Sequence, residues 1–366
     1  MITIDRISDK RTLDDFINYP YELYRNEKYW VPPLRVSEKN RFDSVKNPFY
    51  KNFDVNFHLA KNGSRKVGRI ASIYDKRSGK GYFGYLQAVD DQDIFDTLLS
   101  QIEIDLRKHE IKEIIGPVSP SINYEMGVLT KGFEYSPFLM MPYNYKYYDR
   151  NIKRSGFTKI KDFHAYCANR QEIRQPHKIQ RVAKSISRKL NLTLRNPDMN
   201  NFHSEIRKIE GIYNDAMSGH WGFVPMDSEE FGQLAKDLKN IIDPKMIVIA
   251  EIDDEPVGFI MCLPDYNEIF KKIRNGRLFP SGLIKLLWYK RRIKGLRVAT
   301  LGVKNKYQPL GIGSVLYNRA ITNMLRSSYE HVEFSWIMED NYKVRKIAEL
   351  IGAKITKTYR LYGKMM

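Results

Sequence analysis

The feature that most constrains this chain is that it reads twice. "LAKNGSRKVGRI" (Leu59–Ile70) matches "IAEIDDEPVGFI" (Ile249–Ile260) without a gap. Both read as strand, tight polar turn and strand, with a Val-Gly pair at the same place. Near the end of each half a second match follows, "NYKYYDRNIKRSGFTKIKDFHAY" from Asn144 and "NYKVRKIAELIGAKITKTYRLY" from Asn341. Each reads as a capped helix, a glycine stop (Gly156, Gly352) and a strand pair. Two matches in one order and at similar offsets indicate a duplicated fold. The 366 residues are too many for one ordinary core and suit two. The boundary falls near Asn169, giving residues 1–168 and 169–366, with the basic segment 171–190 leading into the second copy.

The second copy is the clearer. "FHSEIRKIEGIYNDAM" is helical, with apolar Ile206, Ile209 and Tyr213 on one side. "DSEEFGQLAKDLKNII" carries Asp227 as N-cap and Glu230 three residues on. The hairpin follows, then the buried strand "GLRVATLGV", the helix "GIGSVLYNRAITNML" with Val315, Leu316, Ala320 and Met324 inward, the strand "HVEFSWIM", and a last helix with strands. The order β-α-α-β-β-β-α-β-α-β-β predicts a mixed α/β layer fold.

Between the buried strand and its helix lies "YQPLGIG" (Tyr307–Gly313), a glycine turn opening a helix. Such a turn presents free N–H groups and the positive helix end to a phosphate. It sits in a stretch with no Asp or Glu between Glu268 and Glu330, in a chain of net charge +18. Lys304, Lys306 and Arg319 add cations. A solvated basic face is the plain alternative. At the matching place the first copy has "VDDQD", with Asp90, Asp91 and Asp93, an acidic turn that repels phosphate.

Gln308, Gly311 and Gly313 resemble the acyl-CoA loop, Q/R-x-x-G-x-G/A, of the GNAT superfamily of CoA-dependent N-acyltransferases. Asn341 and Gly352 resemble the Asn and Gly of that family's later helix. "YWVPPL", "SINYEMGVL", "FLMMPYNYKYY", "WGFVPM" and "FSWIMEDN" extend the likeness, over nearly the whole chain, to tandem-GNAT bacterial proteins. The resemblance implies two tandem GNAT-like folds, the first degenerate, and a cleft between the splaying strands "RVATLGV" and "VEFSWIM". It implies acetyl-CoA or another acyl-CoA as co-substrate, held by Leu301, Gly302, Val303, Gln308, Pro309, Leu310, Gly311, Ile312, Gly313, Ser314 and Asn341.

Amine acylation needs a base to free the nucleophile, often through water, and an N–H such as that of Val303 to hold the thioester oxygen. On "HVEFSWIME" alternation sets Glu333, Ser335, Ile337 and Glu339 on one face. A central strand is ordinarily apolar on both faces, so this face either lines a cleft or is solvated at a splayed edge. Glu333 and Glu339 are candidate bases, and structural ion pairs are the alternative for each. The family's leaving-group Tyr, seven residues after the Asn, is Ala348 here, which leaves Tyr342 as a weak candidate acid. His220 and Trp221 of "SGHWGFVPM" lie where the resemblance places acceptor contacts, with Ser335. No His/Cys/carboxylate spacing suits a metal.

Two cysteines without C-x-x-C spacing, a charged opening stretch and no apolar run of spanning length predict a cytoplasmic protein. The insert "RLFPSGLIKLLWYKRRIKGLR" sets Leu283, Ile284, Leu286, Leu287 and Trp288 before Lys290, Arg291 and Arg292, like a basic interfacial segment. It either leans on an anionic membrane, covers a long acyl chain, or packs on protein. The reading is therefore an acyl-CoA-dependent N-acyltransferase acting on a small-molecule or lipid amine. A non-catalytic CoA-binding protein, or one binding an anionic surface, is the alternative. No recognised nucleic-acid motif is present.

Overall fold

A computed structural model of the chain describes residues 1–175 and 177–366; position 176, in the basic segment between the copies, lies outside the described residues. The first half runs β1 (Ile2–Arg6), α1 (Lys10–Leu23), α2 (Arg35–Arg41), α3 (Phe49–Asn52), β2 (Phe53–Asn62), β3 (Arg65–Asp75), β4 (Lys80–Ala88), α4 (Gln92–Arg107), β5 (Glu113–Ser119), β6 (Glu125–Met126), β7 (Val128–Lys131), α5 (Tyr147–Arg154) and β8 (Thr158–Asn169). The second runs α6 (His177–Lys189), β9 (Leu192–Arg195), α7 (Phe202–Met217), α8 (Ser228–Leu238), β10 (Ile247–Ile252), β11 (Glu255–Pro264), α9 (Asn267–Phe270), α10 (Ser281–Tyr289), β12 (Gly295–Val303), α11 (Ile312–Leu325), β13 (His331–Met338), α12 (Tyr342–Leu350) and β14 (Lys354–Met365). This is the mixed α/β class expected. Among the described residues no helix is long and apolar enough to cross a membrane.

The repeat extends to local details. β2–β3 and β10–β11 are antiparallel hairpins, each with a register break at the same point, Ala60/Lys61 in one and Ala250/Glu251 in the other. The Val-Gly pair has a packing cause. A Cβ on Gly68 would lie 2.7 Å from Leu98 of α4, and one on Gly258 would lie 3.3 Å from Leu316 of α11. Each glycine lets the following helix settle on its sheet. Both late helices end alike. Gly156 and Gly352 take φ of 88° and 94°, and Phe157 and Ala353 donate back to Ile152 and Ala348. The expected strand pair after each stop is a single long strand instead, β8 and β14. Neither run holds a Pro or Asn-Gly turn to fold it back.

Two compact units result, and neither is contiguous in sequence. The first comprises Met1–His164, Ile269–Tyr289 and Lys357–Met366; the second comprises Ala165–Glu268 and Lys290–Thr356. The chain thus passes between units inside β8 and inside β14. In the first, the sheet runs β1-β2-β3-β4-β5-β14, with Tyr362 opposite Gly116 and Met365 opposite Glu113. Its core is Ile94, Phe95, Leu98, Leu99, Ile102 and Leu106 of α4 set on Ile70, Phe83 and Ala88. Each such side chain contributes about 1.5–3 kcal/mol by leaving water. The insert ties into this unit: Arg35 Nε donates to the Asn275 carbonyl (2.7 Å) and Lys271 Nζ to Ser136 Oγ (2.7 Å).

In the second unit the order is Ala165–Asn169 of β8, then β13-β12-β11-β10-β9. α11 buries Val315, Leu316, Ala320 and Met324, the side chains its periodicity selects. α7 buries Ile206 and Ile212, and its Ile209 and Tyr213 are partly buried against Ile249 and Phe259. Asp227 caps α8 by accepting from the Glu230 N–H (2.8 Å), while Glu230 itself turns inward.

Candidate active site

The second unit contains two strands that part. β12 and β13 are parallel and paired from Gly295/His331 to Val298/Phe334, where their ladder ends. Beyond it β12 stays paired only with β11, out to Val303 opposite Gly258. At the parting point the β11–β12 register breaks: Cys262 faces Val298 and Met261 faces Thr300, so Ala299 is an extra residue. A bulge bends its strand and re-aims its backbone. Exposure follows: Gly295–Val298 are buried, and Ala299, Thr300 and Leu301 are half-buried. The backbone of β12 facing β13 is thereby left to pair with something extended.

The glycine turn closes the same end of β12. Asn305–Leu310 form a 3-10 turn, Gly311 takes φ 78°, and no side chain caps the α11 that follows. The turn is braced from behind. Asn305 N–H donates to Asp215 Oδ2 (2.6 Å) and its side chain to the Asp215 carbonyl (2.7 Å). Gln308 Nε2 donates to the Val303 carbonyl (3.2 Å) and Asn305 Oδ1 (2.9 Å), so Gln308 ties the turn to the strand. Lys304, expected to face phosphates, is paired with Glu255 across the β11–β12 ladder (2.8 Å), and that bond holds the Glu255 carboxyl below its ordinary range. Other cations remain. α6 packs against α11 and exposes Arg181, Lys184, Arg188 and Lys189. Its Ile186 reaches the turn: a Cβ on Gly311 would lie 2.9 Å from Ile186 Cδ1.

Below the parting point lies a buried polar network. Arg297 and Glu333 are register partners on β12 and β13, 3% and 0% exposed. Ser335 Oγ accepts from Arg297 Nε (2.9 Å) and donates to Glu333 Oε1 (2.8 Å). Arg297 Nη2 donates to the Ser335 carbonyl (3.2 Å), and its guanidinium lies over the Trp336 ring at 5.1 Å. Cys167 Sγ donates to Glu333 Oε2 at 3.8 Å. The polar face of this strand is therefore enclosed, not solvated. A buried carboxyl group costs free energy unless it is hydrogen-bonded, and Ser335 supplies such a bond while linking Glu333 to Arg297.

The other sequence-selected residues are placed as follows. Glu339 is half-buried just past β13, its carbonyl accepting from Arg345 Nη1 (2.7 Å). Tyr342 is 72% exposed at the start of α12, and Asn341 caps that helix through the Val344 N–H (3.3 Å). Ala348 is buried. His220 and Trp221 are half-buried after α7, and His220 Nδ1 is buried without a hydrogen-bond partner among the described residues. Glu333 and Ser335 come together in one network, and the turn residues gather at the end of β12. The sequence reading missed Arg297, whose signal was a lone charge inside an apolar strand. It also missed Tyr166, whose hydroxyl accepts from Arg345 Nε (3.1 Å) and donates to Glu349 (3.1 Å). Neither cysteine is in a disulfide among the described residues, and burial pushes the Cys262 thiol up to about 12.

Residues 206–352 match the family described as the Acetyltransferase (GNAT) family. The chain is 34% identical over 371 residues to Protein YghO of Escherichia coli (strain K12), covering 98% of this chain and 94% of that one. It is 34% identical over 372 residues to the bacterial ceramide synthase of Caulobacter vibrioides (strain NA1000 / CB15N), covering 97% and 95%. A tandem GNAT protein from the clavulanic acid biosynthesis pathway shares the fold at TM-score 0.58 and 10% identity, over 100% of this chain and 98% of that one. The glucosamine N-acetyltransferase region of a fungal multi-domain β-N-acetylglucosaminidase does so at TM-score 0.61 and 13% identity, over 100% and 38%. With its glycine turn, parted strands and duplicated order, the chain belongs to the GNAT family and is an acyl-CoA-dependent N-acyltransferase built from two tandem GNAT folds.

Proposed function

We propose that the second copy, residues 169–366, joins a long-chain acyl group to the amine of a lipid, with residues 1–168 as a copy that has lost the phosphate site. The observation that carries the site is the uncapped start of α11 beside the unpaired edge of β12. Free helix N–H groups suit a pyrophosphate, and an unpaired strand edge suits an extended amide chain. Pro309, Leu310, Gly311, Ile312, Gly313 and Ser314 would hold the phosphates, braced by Gln308. Leu301, Gly302 and Val303 would line the chain, with Asn341 at the later helix. When bound, acyl-CoA supplies an activated thioester. The lipid class follows from a 34%-identical relative named for ceramide synthesis, since a ceramide is a long acyl chain amide-linked to a lipid amine.

An arriving amine is protonated at neutral pH and must lose a proton before it attacks. Glu333, joined to Arg297 through Ser335, is the base, receiving the proton through water because its own carboxylate is enclosed. Glu339, at the open end of β13, is the alternative first acceptor of that proton. The Val303 N–H would stabilise charge on the thioester oxygen. Tyr342 is the exposed candidate for returning a proton to sulfur. His220 and Trp221 contact the acceptor, whereas Ser335, 4% exposed and bonded to Arg297 and Glu333, orients the base instead. Two cysteines without a disulfide among the described residues fit a reducing compartment, and we place the protein in the cytoplasm.

The test is release of free thiol from acetyl-CoA and longer acyl-CoAs over an amine panel, beside CoA binding. Long-chain acyl-CoA with a sphingoid-type amine gives the fastest release. Gly311→Glu weakens CoA binding by roughly 30-fold, the scale of a charge at a helix N-terminus. Wild-type turnover confined to small polar amines and acetyl-CoA overturns the lipid assignment. Undiminished CoA binding by Gly311→Glu overturns the phosphate site.

A further inference from the structure

α10 is apolar on most of its surface, and one apolar stripe is turned outward. A surface helix ordinarily sets an i, i+3, i+4 apolar stripe against protein. Here the stripe is Ile284, Leu287 and Trp288, exposed by 66%, 67% and 63%, and Phe279 just before the helix is 72% exposed. The smallest residue faces in: a Cβ on Gly282 would lie 2.4 Å from the Arg277 carbonyl. The helix is held in this orientation. Lys285 Nζ donates to the Lys272 carbonyl (2.7 Å), and the Lys272 ammonium lies over the Tyr289 ring at 4.8 Å.

Single exposed apolar residues need no explanation, but a cluster with a fixed orientation does. Its surroundings are cationic. Arg274 and Arg277 precede it and are exposed, the chain runs from Tyr289 straight into exposed Lys290, Arg291 and Arg292, and no acidic residue occurs from 269 to 329. Protruding aromatic and aliphatic side chains flanked along the chain by Lys and Arg match the two layers of an anionic bilayer surface, acyl boundary and headgroup. The Trp is of the type that settles at that boundary.

We propose that α10 and Phe279 dock the protein on anionic lipid, inserting Phe279, Ile284, Leu287 and Trp288 while the flanking cations meet the headgroups. This goes beyond the proposed reaction and is measured without it. Full-length protein is sedimented with vesicles of phosphatidylcholine alone or with phosphatidylglycerol. Wild type pellets with the anionic vesicles. Leu287→Glu/Trp288→Glu lowers its partition coefficient by roughly tenfold or more, because charged side chains cannot enter the acyl boundary. Arg277→Gln/Arg291→Gln lowers the anionic preference and its salt dependence. Both variants change exposed side chains, and retained thiol release with a water-soluble amine shows that they are folded. Wild type that stays in the supernatant, or a double-Glu variant that pellets equally, overturns the proposal. So does wild type that self-associates without vesicles while the double-Glu variant is monomeric and pellets no less. Loss of thiol release in every protein, with the vesicle result intact, would tell against the reaction alone.

Discussion

The start of α4 and the start of α11 occupy the same place in the two copies, and they are finished in opposite ways. At α4, Asp91 accepts from the Asp93 N–H (2.9 Å), and Asp90 is held by Arg150 and by Asn151 Nδ2 (3.1 Å). That helix end meets its anion within the chain. At α11 a glycine with φ 78° stands at the cap and no side chain fills it. The neighbouring space differs too. In the first copy Tyr85 packs into an aromatic group, with ring centroids 4.9 Å from Phe42 and 6.0 Å from Phe57. In the second, Ala299–Leu301 are small or half-exposed where the strands part. Hairpins, register breaks and glycine stops are common to both copies, so the scaffold and the chemistry have separate requirements.

That separation can be broken at three points. Glu333→Gln removes the base and lowers kcat by about 10²–10⁴-fold with CoA binding unchanged, measured as thiol release and by titration calorimetry. A loss under tenfold moves the role to Glu339. Arg297→Met strands Glu333 as a buried charge and destabilises the protein by about 3–5 kcal/mol, read from denaturant melts. Pairing it with Glu333→Met recovers most of that stability but no activity, which distinguishes a structural from a catalytic loss. Asp91→Ala in the first copy costs about 1 kcal/mol by uncapping α4 and leaves thiol release unchanged. A fall in turnover there would show that the first helix end serves the reaction.

Local patterns carried most of what the sequence could say. The hairpins, the Gly156 and Gly352 stops, the Asp227 cap and the inward stripe of α11 each follow from residues close in the chain. Arg297 was visible as a charge in an apolar strand, but its partner Ser335 and the Glu333 that Ser335 bonds lie on another strand. Lys304 looked free for phosphate because Glu255 is its neighbour only once β12 pairs with β11. The bulge at Ala299 depends on pairing with β11 and leaves no mark on composition. Likewise, nothing local tells that the insert after β11 anchors on Arg35 and Ser136, far back in the chain.

The first unit's sheet draws a strand from the far end of the chain: Tyr362–Met365 of β14 pair with Gly116–Glu113 of β5. On the ribosome, β5 therefore emerges with an unpaired edge and keeps it through synthesis of the whole second copy. The first copy cannot mature as a free-standing domain ahead of the second. A gene cut at the repeat boundary would release a half whose sheet is one strand short, so the duplication, once made, is locked.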